Sequence, residues 1–153
     1  MDEQGNFKQA RLFLEESVTL YRALKDQHSL SHSLCSLIEV ALSEGQVMQA
    51  ATLAQENLAV VRELENGPDL TRVLYWAALT QAFQGDTGQA ARLFEECLAL
   101  AREQDNKRQI GSALLSLGGI VLNQGDLPRA ETCVQESLTL LRELGTKSQM
   151  AVA

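Results

Sequence analysis

The chain has 153 residues, a length typical of one domain, and its 45% hydrophobic and 22% charged residues form a globular composition that argues against disorder. Its net charge of −7 disfavours contact with a phosphate backbone, so no nucleic-acid binding is expected from this domain. The sequence has no apolar run long enough to span a membrane and no signal peptide, and its three cysteines lack a disulfide pattern, which together predict a cytoplasmic protein.

A repeat of 40 residues runs through the whole chain. Four columns of the repeat hold the same residue type in every unit, which chance does not explain. These columns are Gly5, Gly45, Gly85 and Gly125; Ala10, Ala50, Ala90 and Ala130; Glu16, Glu56, Glu96 and Glu136; and Arg22, Arg62, Arg102 and Arg142. Recurrence of this kind indicates a stack of structurally equivalent units.

Each unit is predicted to contain two helices that are separated at the glycine, because apolar residues recur at helical spacing on both sides of it. In each unit the first helix precedes the glycine and the second helix follows it, and the chain opens in a second helix. Turn-forming residues separate the units, the last of them at Gly145 and Thr146. First helices are predicted at 28–44, 69–84 and 107–124, and the last second helix at 127–144. The predicted units cover 5–27, 28–66, 67–106 and 107–146, with the start of a further helix at 147–153, all within one domain over 1–153.

The junctions and contact positions carry residues that suit helical hairpins. Glycine suits the left-handed residue that closes a helix, and Asp86 and Asp126 are predicted to cap the helices that follow them. The alanine column and the pair Gly118 and Gly119 are small, which allows paired helices to approach to about 8–10 Å. The glutamate and arginine columns are predicted to complement helix dipoles and to bridge adjacent units.

Both ends of the chain fall in the middle of a unit, which predicts a fragment of a longer protein. Neither end has the polar character of a capping repeat. The apolar residues expected to be exposed there are Phe7, Phe13, Leu14 and Tyr21 at one end and Val152 at the other. We therefore predict that the chain forms a homo-oligomer through the array ends.

The fourth unit carries a family resemblance in Leu114-x-x-Leu117-Gly118-x-x-Val121-x-x-x-Gly125-Asp126-x-x-x-Ala130. This pattern resembles the signature of the tetratricopeptide repeat (TPR), although leucine occupies the family's tryptophan column and arginine the place of its closing proline. The 40-residue unit is similar to those of bacterial LuxR-type and related ATP-binding transcriptional regulators. It also resembles the period of animal spindle-orientation adaptors, and kinesin light chains have a slightly longer one.

The resemblance implies an all-α fold, a right-handed superhelical solenoid of antiparallel helix pairs with about seven helices. It also implies that the first helices line a concave groove that binds a protein or peptide. The groove residues at matching positions are His32, Cys35 and Glu39 from one unit, Arg72, Tyr75, Leu79 and Phe83 from the next, and Ser112, Leu115 and Asn123 from the last. In an alternative interpretation, Tyr75, Leu79 and Leu115 only seal neighbouring units against each other.

No catalytic apparatus is recognisable, so an enzyme is not predicted. The sequence has no glycine-rich phosphate loop, and neither histidine has a nucleophile in a turn context. His28, His32 and Cys35 have a spacing that can bind a transition metal, but a firm site needs more ligands. We therefore predict no cofactor and no metal.

Three functions are compatible with these features. The first is a protein- or peptide-binding scaffold within a larger signalling or transcriptional regulator. The second is an effector-sensing domain that binds a small molecule in an enclosed pocket near Tyr75 and Leu115. The third is a self-assembly spacer.

Overall fold

A computed structural model describes residues 3–64 and 67–152, and these residues form seven α-helices and no strands. The helices are α1 (Glu3–Leu24), α2 (Gln27–Ser43), α3 (Val47–Arg62), α4 (Gly67–Phe83), α5 (Thr87–Glu103), α6 (Lys107–Asn123) and α7 (Leu127–Val152). Within the described ranges, no helix has the length and apolar character needed to cross a membrane.

The helices are arranged in two rows. Each helix contacts the next one along the chain, which gives the hairpins α2–α3, α4–α5 and α6–α7. The first helices also contact one another, α2 with α4 and α4 with α6, whereas second helices of neighbouring units make no close backbone approach in the described ranges. This arrangement confirms the predicted all-α helical solenoid.

Three glycines close the turns inside the hairpins. Gly45, Gly85 and Gly125 have φ angles of +76°, +88° and +86°, which are strained for residues with a side chain. Each donates its backbone N–H to the carbonyl three residues earlier, at 3.0–3.1 Å. Gly5, the fourth member of the column, lies instead inside α1, so the prediction that the glycine column marks a helix boundary is wrong at this position. A left-handed residue is required only where the chain reverses after a helix, and α1 has already begun at Glu3.

Side-chain caps start the helices as the sequence predicts. The Oδ1 atoms of Asp86 and Asp126 accept the backbone N–H three residues ahead, at 3.1 and 3.2 Å. Asp26 and Asn106 make the same contact between units, each at 3.2 Å. A cap of this kind stabilises a helix by about 1 kcal/mol.

One buried cluster of apolar side chains connects the units from α2 to α7. The alanines of the small column at positions 50, 90 and 130, in α3, α5 and α7, are buried in this cluster. A Cβ atom added at Gly118 would lie 3.1 Å from Val134 Cγ2 and 3.3 Å from Cys133 Cβ, so close packing explains this glycine. A Cβ at Gly119 would meet nothing within 4 Å, so the same prediction is wrong there.

A hydrogen bond at the same repeat position fastens each complete hairpin. The donors are the buried side chains of Asn57, Cys97 and Ser137 in the second helices, and the acceptors are the carbonyls of Ser31, Thr71 and Gly111, each 26 residues earlier. The donor–acceptor distances are 3.1, 3.2 and 2.6 Å. Three different side chains of the second helices thus donate a hydrogen bond to equivalent backbone carbonyls of the first helices.

The last helix is longer than predicted. α7 continues without a break through Gly145 and Thr146 to Val152, so the boundary expected there and the separate helix at 147–153 are wrong. A single glycine inside a helix costs about 1 kcal/mol relative to alanine, which weakens a helix without ending it. The residues that follow include no proline. Residue 153 and the side chains from 146 onward, including the predicted exposure of Val152, lie outside what the structure describes.

Candidate interaction face

The outward stripe of α2, α4 and α6, here called the first-helix face, contains most of the residues predicted to line a groove. Of these, His32, Glu39, Phe83, Leu115 and Asn123 are exposed. Four others on α4 and α6 are half-buried: Arg72, Tyr75, Leu79 and Ser112. Helical periodicity places them on one side of each helix, and the contacts between first helices place the three stripes side by side.

Cys35 does not belong to this face, and its assignment to the groove is wrong. Its side chain is only 1% exposed and lies in a cluster with Val61 and Val73. Its Sγ also accepts a hydrogen bond from Asn57 Nδ2 at 3.3 Å. The residue is covered from both sides, by Val61 of its own hairpin and by Val73 of the next unit.

Tyr75 fits both interpretations of the groove residues, the binding surface and the seal between units. Its ring makes edge-on contacts with Trp76 and with the buried Phe94, with ring centroids 5.6 and 5.7 Å apart. Tyr75 and Leu79 also pack against the main core, yet both stay partly accessible. They therefore seal the units and also present an apolar surface to solvent.

The accessible apolar area continues towards the ends of α4 and α6. Phe83 is 61% exposed and Leu115 is 48% exposed, and Leu122, which the sequence analysis did not select, is also exposed. Leu115 and Leu122 line an apolar depression of about 610 Å³ together with residues of α7, among them Leu127 and Val134. Exposed aromatic and aliphatic side chains of this kind mark surfaces that other molecules bind.

His32 and Arg72 form the one polar contact on this face that joins two units in the described ranges. Arg72 Nη1 lies 2.9 Å from His32 Nε2 and 3.4 Å from Nδ1. The two residues are 40 positions apart and therefore occupy the same place in consecutive units. The sequence analysis selected both, but their contact depends on how the two helices pack.

The opposite side of the stack, formed by the second helices, is tied together by ion pairs. Arg22 Nε donates to Glu56 Oε1 at 2.9 Å, and Arg102 Nη2 donates to Glu136 Oε1 at 3.0 Å. Each pair joins an arginine to the glutamate 34 residues later, in the next second helix, which confirms the predicted bridging at two positions. The third pair of the same spacing, Arg62 and Glu96, forms no ion pair in the described ranges. Arg129 and Glu95 add a further link between α5 and α7.

Chemically reactive groups are sparse in this structure. All three cysteines are buried and none of them forms a disulfide, and burial raises the pKa of the Cys97 thiol to about 12. Burial also raises the pKa of Cys133. A thiol in this environment stays protonated and unreactive at neutral pH. The described residues include no group of three or more His, Cys, Asp or Glu side chains that could hold a metal ion.

Trp76 and Leu122 are the members of this surface that the sequence analysis missed. Trp76 lies next to the groove stripe and outside the repeat's leucine column, so no column identified it. Leu122 occupies the place where earlier units carry Leu42 and Ala82, which are half-buried. Its exposure depends on what packs beside it, which periodicity does not reveal.

Solved structures with similar folds contain related repeats. BtubC (BKLC) from P. vanneervenii matches 91% of this chain with a TM-score of 0.76 and 21% identity, and this chain spans only 58% of it. A crystal structure of a kinesin light chain from Podosopora anserina, described as having nearly identical TPR-like repeats, matches with a TM-score of 0.72 and 17% identity. That match covers 94% of this chain and 70% of the other. At these identities the likeness shows the fold alone, and it confirms TPR-like repeats.

The comparison with curated proteins finds no match. A family model described as Anaphase-promoting complex subunit 5 matches residues 2–44 and 69–121, which is more than half of the chain. The two matched segments contain α2, most of α4 and α6, and therefore most of the first-helix face. Because the match extends over most of the repeat array, the chain belongs to the anaphase-promoting complex subunit 5 family and has a TPR-like helical repeat fold.

Proposed function

We propose that this chain is a non-catalytic scaffold that docks a segment of a partner protein along its first-helix face. The observation that carries the proposal is the cluster of accessible apolar side chains there, with Tyr75, Leu79, Phe83 and Leu115 on adjacent helices. A large aromatic or aliphatic group in such a position contributes strongly to binding when a partner buries it. Polar side chains such as His32, Glu39 and Asn123 surround these groups and would set the register of the partner.

The name of the family suggests the setting of this scaffold, which is a subunit within a multiprotein assembly. We favour this setting over the signalling or transcriptional regulator expected from the unit length, because no comparison supports such a regulator. A cytoplasmic location, as expected from the composition, is compatible with the proposal. Self-assembly through the array ends stays a prediction.

Small-molecule sensing is less well supported than docking. It requires an enclosed pocket that joins Tyr75 to Leu115. The depression that contains Leu115 is lined by α6 and α7 and does not reach Tyr75. An extended, partly apolar surface suits a peptide better than it suits a small ligand.

The test compares two matched leucine substitutions. Leu115→Glu places a charge on the first-helix face, whereas Leu12→Glu places it on α1, where the equivalent residues Thr52, Arg92 and Thr132 are all exposed. The two leucines are similarly accessible, at 48% and 55%. The native chain and both variants serve as baits in cell lysate, with mass-spectrometric identification of the bound proteins and circular dichroism to verify folding.

We expect a defined partner to be retained by the native chain and by Leu12→Glu but lost with Leu115→Glu. A Phe83→Glu variant should behave like Leu115→Glu, because Phe83 lies on the neighbouring first helix. Equal binding by all baits, or loss with Leu12→Glu instead, would show that the first-helix face does not dock the partner.

A further inference from the structure

A row of side chains on α1, here called the α1 stripe, is covered by no helix in the described ranges. Phe13 is 69% exposed and Leu20 is 56% exposed, although every residue at the equivalent repeat positions of α3, α5 and α7 is buried or half-buried. Among the described helices, α1 contacts only α2. The stripe extends over about 20 Å of the helix and consists of Ala10, Phe13, Ser17, Leu20 and Leu24.

In the complete hairpins, the equivalent stripe of the second helix faces the first helix. Asn57, Cys97 and Ser137 occupy the place of Ser17, and each donates a hydrogen bond to a backbone carbonyl of the helix before it. The two helices of such a hairpin are antiparallel, because a short turn joins them. A helix that covers the α1 stripe in the same way therefore runs antiparallel to α1.

The α1 stripe is complementary to itself across a two-fold axis that passes near residue 15, perpendicular to the helix. This axis makes two copies of α1 antiparallel and places Phe13 of one copy opposite Ser17 of the other. Leu20 lies opposite Ala10 in the same way, so each large apolar side chain meets a small one and the helices can approach closely. The register one heptad further along sets Phe13 against Leu24, two large groups, so the pattern of sizes selects the first register.

The α1 stripe can be buried without leaving a polar group unsatisfied. Ser17 Oγ donates to the Phe13 carbonyl at 2.8 Å, within α1 itself, so its hydroxyl needs no partner from a covering helix. The stripe contains no charged residue, and Glu16, which borders it, is exposed to solvent. Arg22 lies away from the stripe and pairs with Glu56 of α3. These properties suit an apolar partner surface such as the same stripe on a second copy.

The size of α1 matches a small but specific contact. The helix has 22 residues and is therefore about 33 Å long and about 10 Å wide. A contact along such a strip buries several hundred square ångströms on each copy, which is at the lower end of the range for specific interfaces. An interface of this size is typical of reversible association.

We propose that two copies of this chain form a closed dimer through antiparallel α1 helices, with the α1 stripe at the centre of the contact. A two-fold contact uses the same surface on both copies, so the assembly stops at the dimer and does not extend into a chain of copies. No residue of α1 belongs to the first-helix face. The inference therefore goes beyond the proposed docking function and stands or falls separately from it.

The test is sedimentation velocity of the full chain from about 1 µM to about 1 mM, a range that covers weak association. We expect a monomer at the low end, a dimer at the high end and no larger species. Leu20→Glu should weaken the dimer at least about tenfold, and Phe13→Glu should do the same. Leu12→Glu is the matched control, because Leu12 is 55% exposed on the same helix but points away from the stripe, and it should dimerise like the native chain. Circular dichroism shows whether each variant is folded.

Cross-linking tests the antiparallel geometry. Glu16 borders the stripe close to the two-fold axis, and Gln9 borders it on the same side two turns earlier. In the dimer, the two copies of position 16 lie close together, whereas the two copies of position 9 are about 18 Å apart along the helix axis. We expect a short thiol cross-linker to join Glu16→Cys chains but not Gln9→Cys chains. The native cysteines are buried and should not react.

A chain that stays monomeric over the whole range would overturn the dimer and leave the α1 stripe to a helix of another protein. Equal association of Leu20→Glu and Leu12→Glu would also overturn it, because the contact would then lie elsewhere. Species larger than a dimer that grow with concentration would show that both ends of the array join instead. Equal cross-linking of Glu16→Cys and Gln9→Cys would rule out the antiparallel two-fold contact.

Discussion

The buried thiol of Cys97, which supplies the hydrogen bond inside its hairpin, makes the free energy of unfolding depend on pH. The residue is fully buried, its thiol donates to the Thr71 carbonyl at 3.2 Å, and burial raises its pKa to about 12 from an ordinary value of 9.0. Below pH 9 the thiol is protonated in the folded and unfolded states alike. Between pH 9 and 12 only the unfolded state ionises, so the free energy of unfolding falls as the pH rises.

We expect Cys97→Ser to remove this alkaline loss. Serine can keep the hydrogen bond, because Ser137 makes the equivalent one to Gly111 at 2.6 Å. The native chain should lose up to about 1.4 kcal/mol per pH unit above pH 9 relative to the variant. Urea unfolding of both proteins at neutral pH and up to about pH 11 measures the difference. A gap between them that does not change with pH would contradict the assignment.

The sequence predicts the role of a residue well where all of its contacts lie within one unit. The turn glycines and the caps Asp86 and Asp126 act within a few residues of chain, and the structure places them as expected. Cys35 differs because part of its burial comes from the neighbouring unit, whose Val73 packs against it. The contact of His32 with Arg72 likewise depends on the spacing of α2 and α4, which the sequence pattern does not specify.

At the scale of elements, the adjacent glycines of α6 offer a matched test of helix packing. Both lie in the same helix, but only Gly118 faces α7, where an added Cβ would lie 3.1 Å from Val134 Cγ2. Gly119→Ala should stabilise the protein by up to about 1 kcal/mol, because alanine is the better helix former. Gly118→Ala should be less stable than Gly119→Ala by about 1–3 kcal/mol, because the extra methyl overpacks the interface.

Thermal or urea unfolding of the two variants measures this difference. The double variant Gly118→Ala, Val134→Ala removes the contacting methyl groups and should recover part of the loss caused by Gly118→Ala. Equal stability of the two single variants would mean that α6 and α7 are farther apart than the structure indicates.

The helix boundaries show how far a glycine in the sequence predicts the end of a helix. Glycine followed by aspartate or glutamine, between two apolar stripes, marks a chain reversal at Gly45, Gly85 and Gly125. Gly145 is followed by Thr146, a residue type that can also cap a helix, yet the helix passes through both residues. A glycine therefore ends a helix here when the packing of a following helix favours the reversal, and composition alone does not distinguish the two cases.

Over the whole molecule, the units are joined mainly by their shared apolar core, and the ion pairs on the second-helix side add little. Arg102 and Glu136 are 51% and 44% exposed, so water and salt screen their attraction. In the core, by contrast, side chains from α2 to α7 pack in one continuous cluster. This contrast predicts that the repeated Arg–Glu columns set the alignment of the units and contribute only weakly to stability.

A double-mutant cycle on Arg102→Gln and Glu136→Gln tests this view. The coupling energy should be below about 1 kcal/mol and should largely vanish at roughly 1 M salt, where the screening length is only about 3 Å. Arg62 and Glu96 provide the control, since they have the same 34-residue separation and both are described, yet no ion pair joins them. Their cycle should give no coupling at any salt concentration. The opposite outcome is a coupling of several kcal/mol between Arg102 and Glu136 that persists at high salt. It would make the ion pairs a principal link between units, because only a pair that is shielded from solvent keeps its attraction under those conditions.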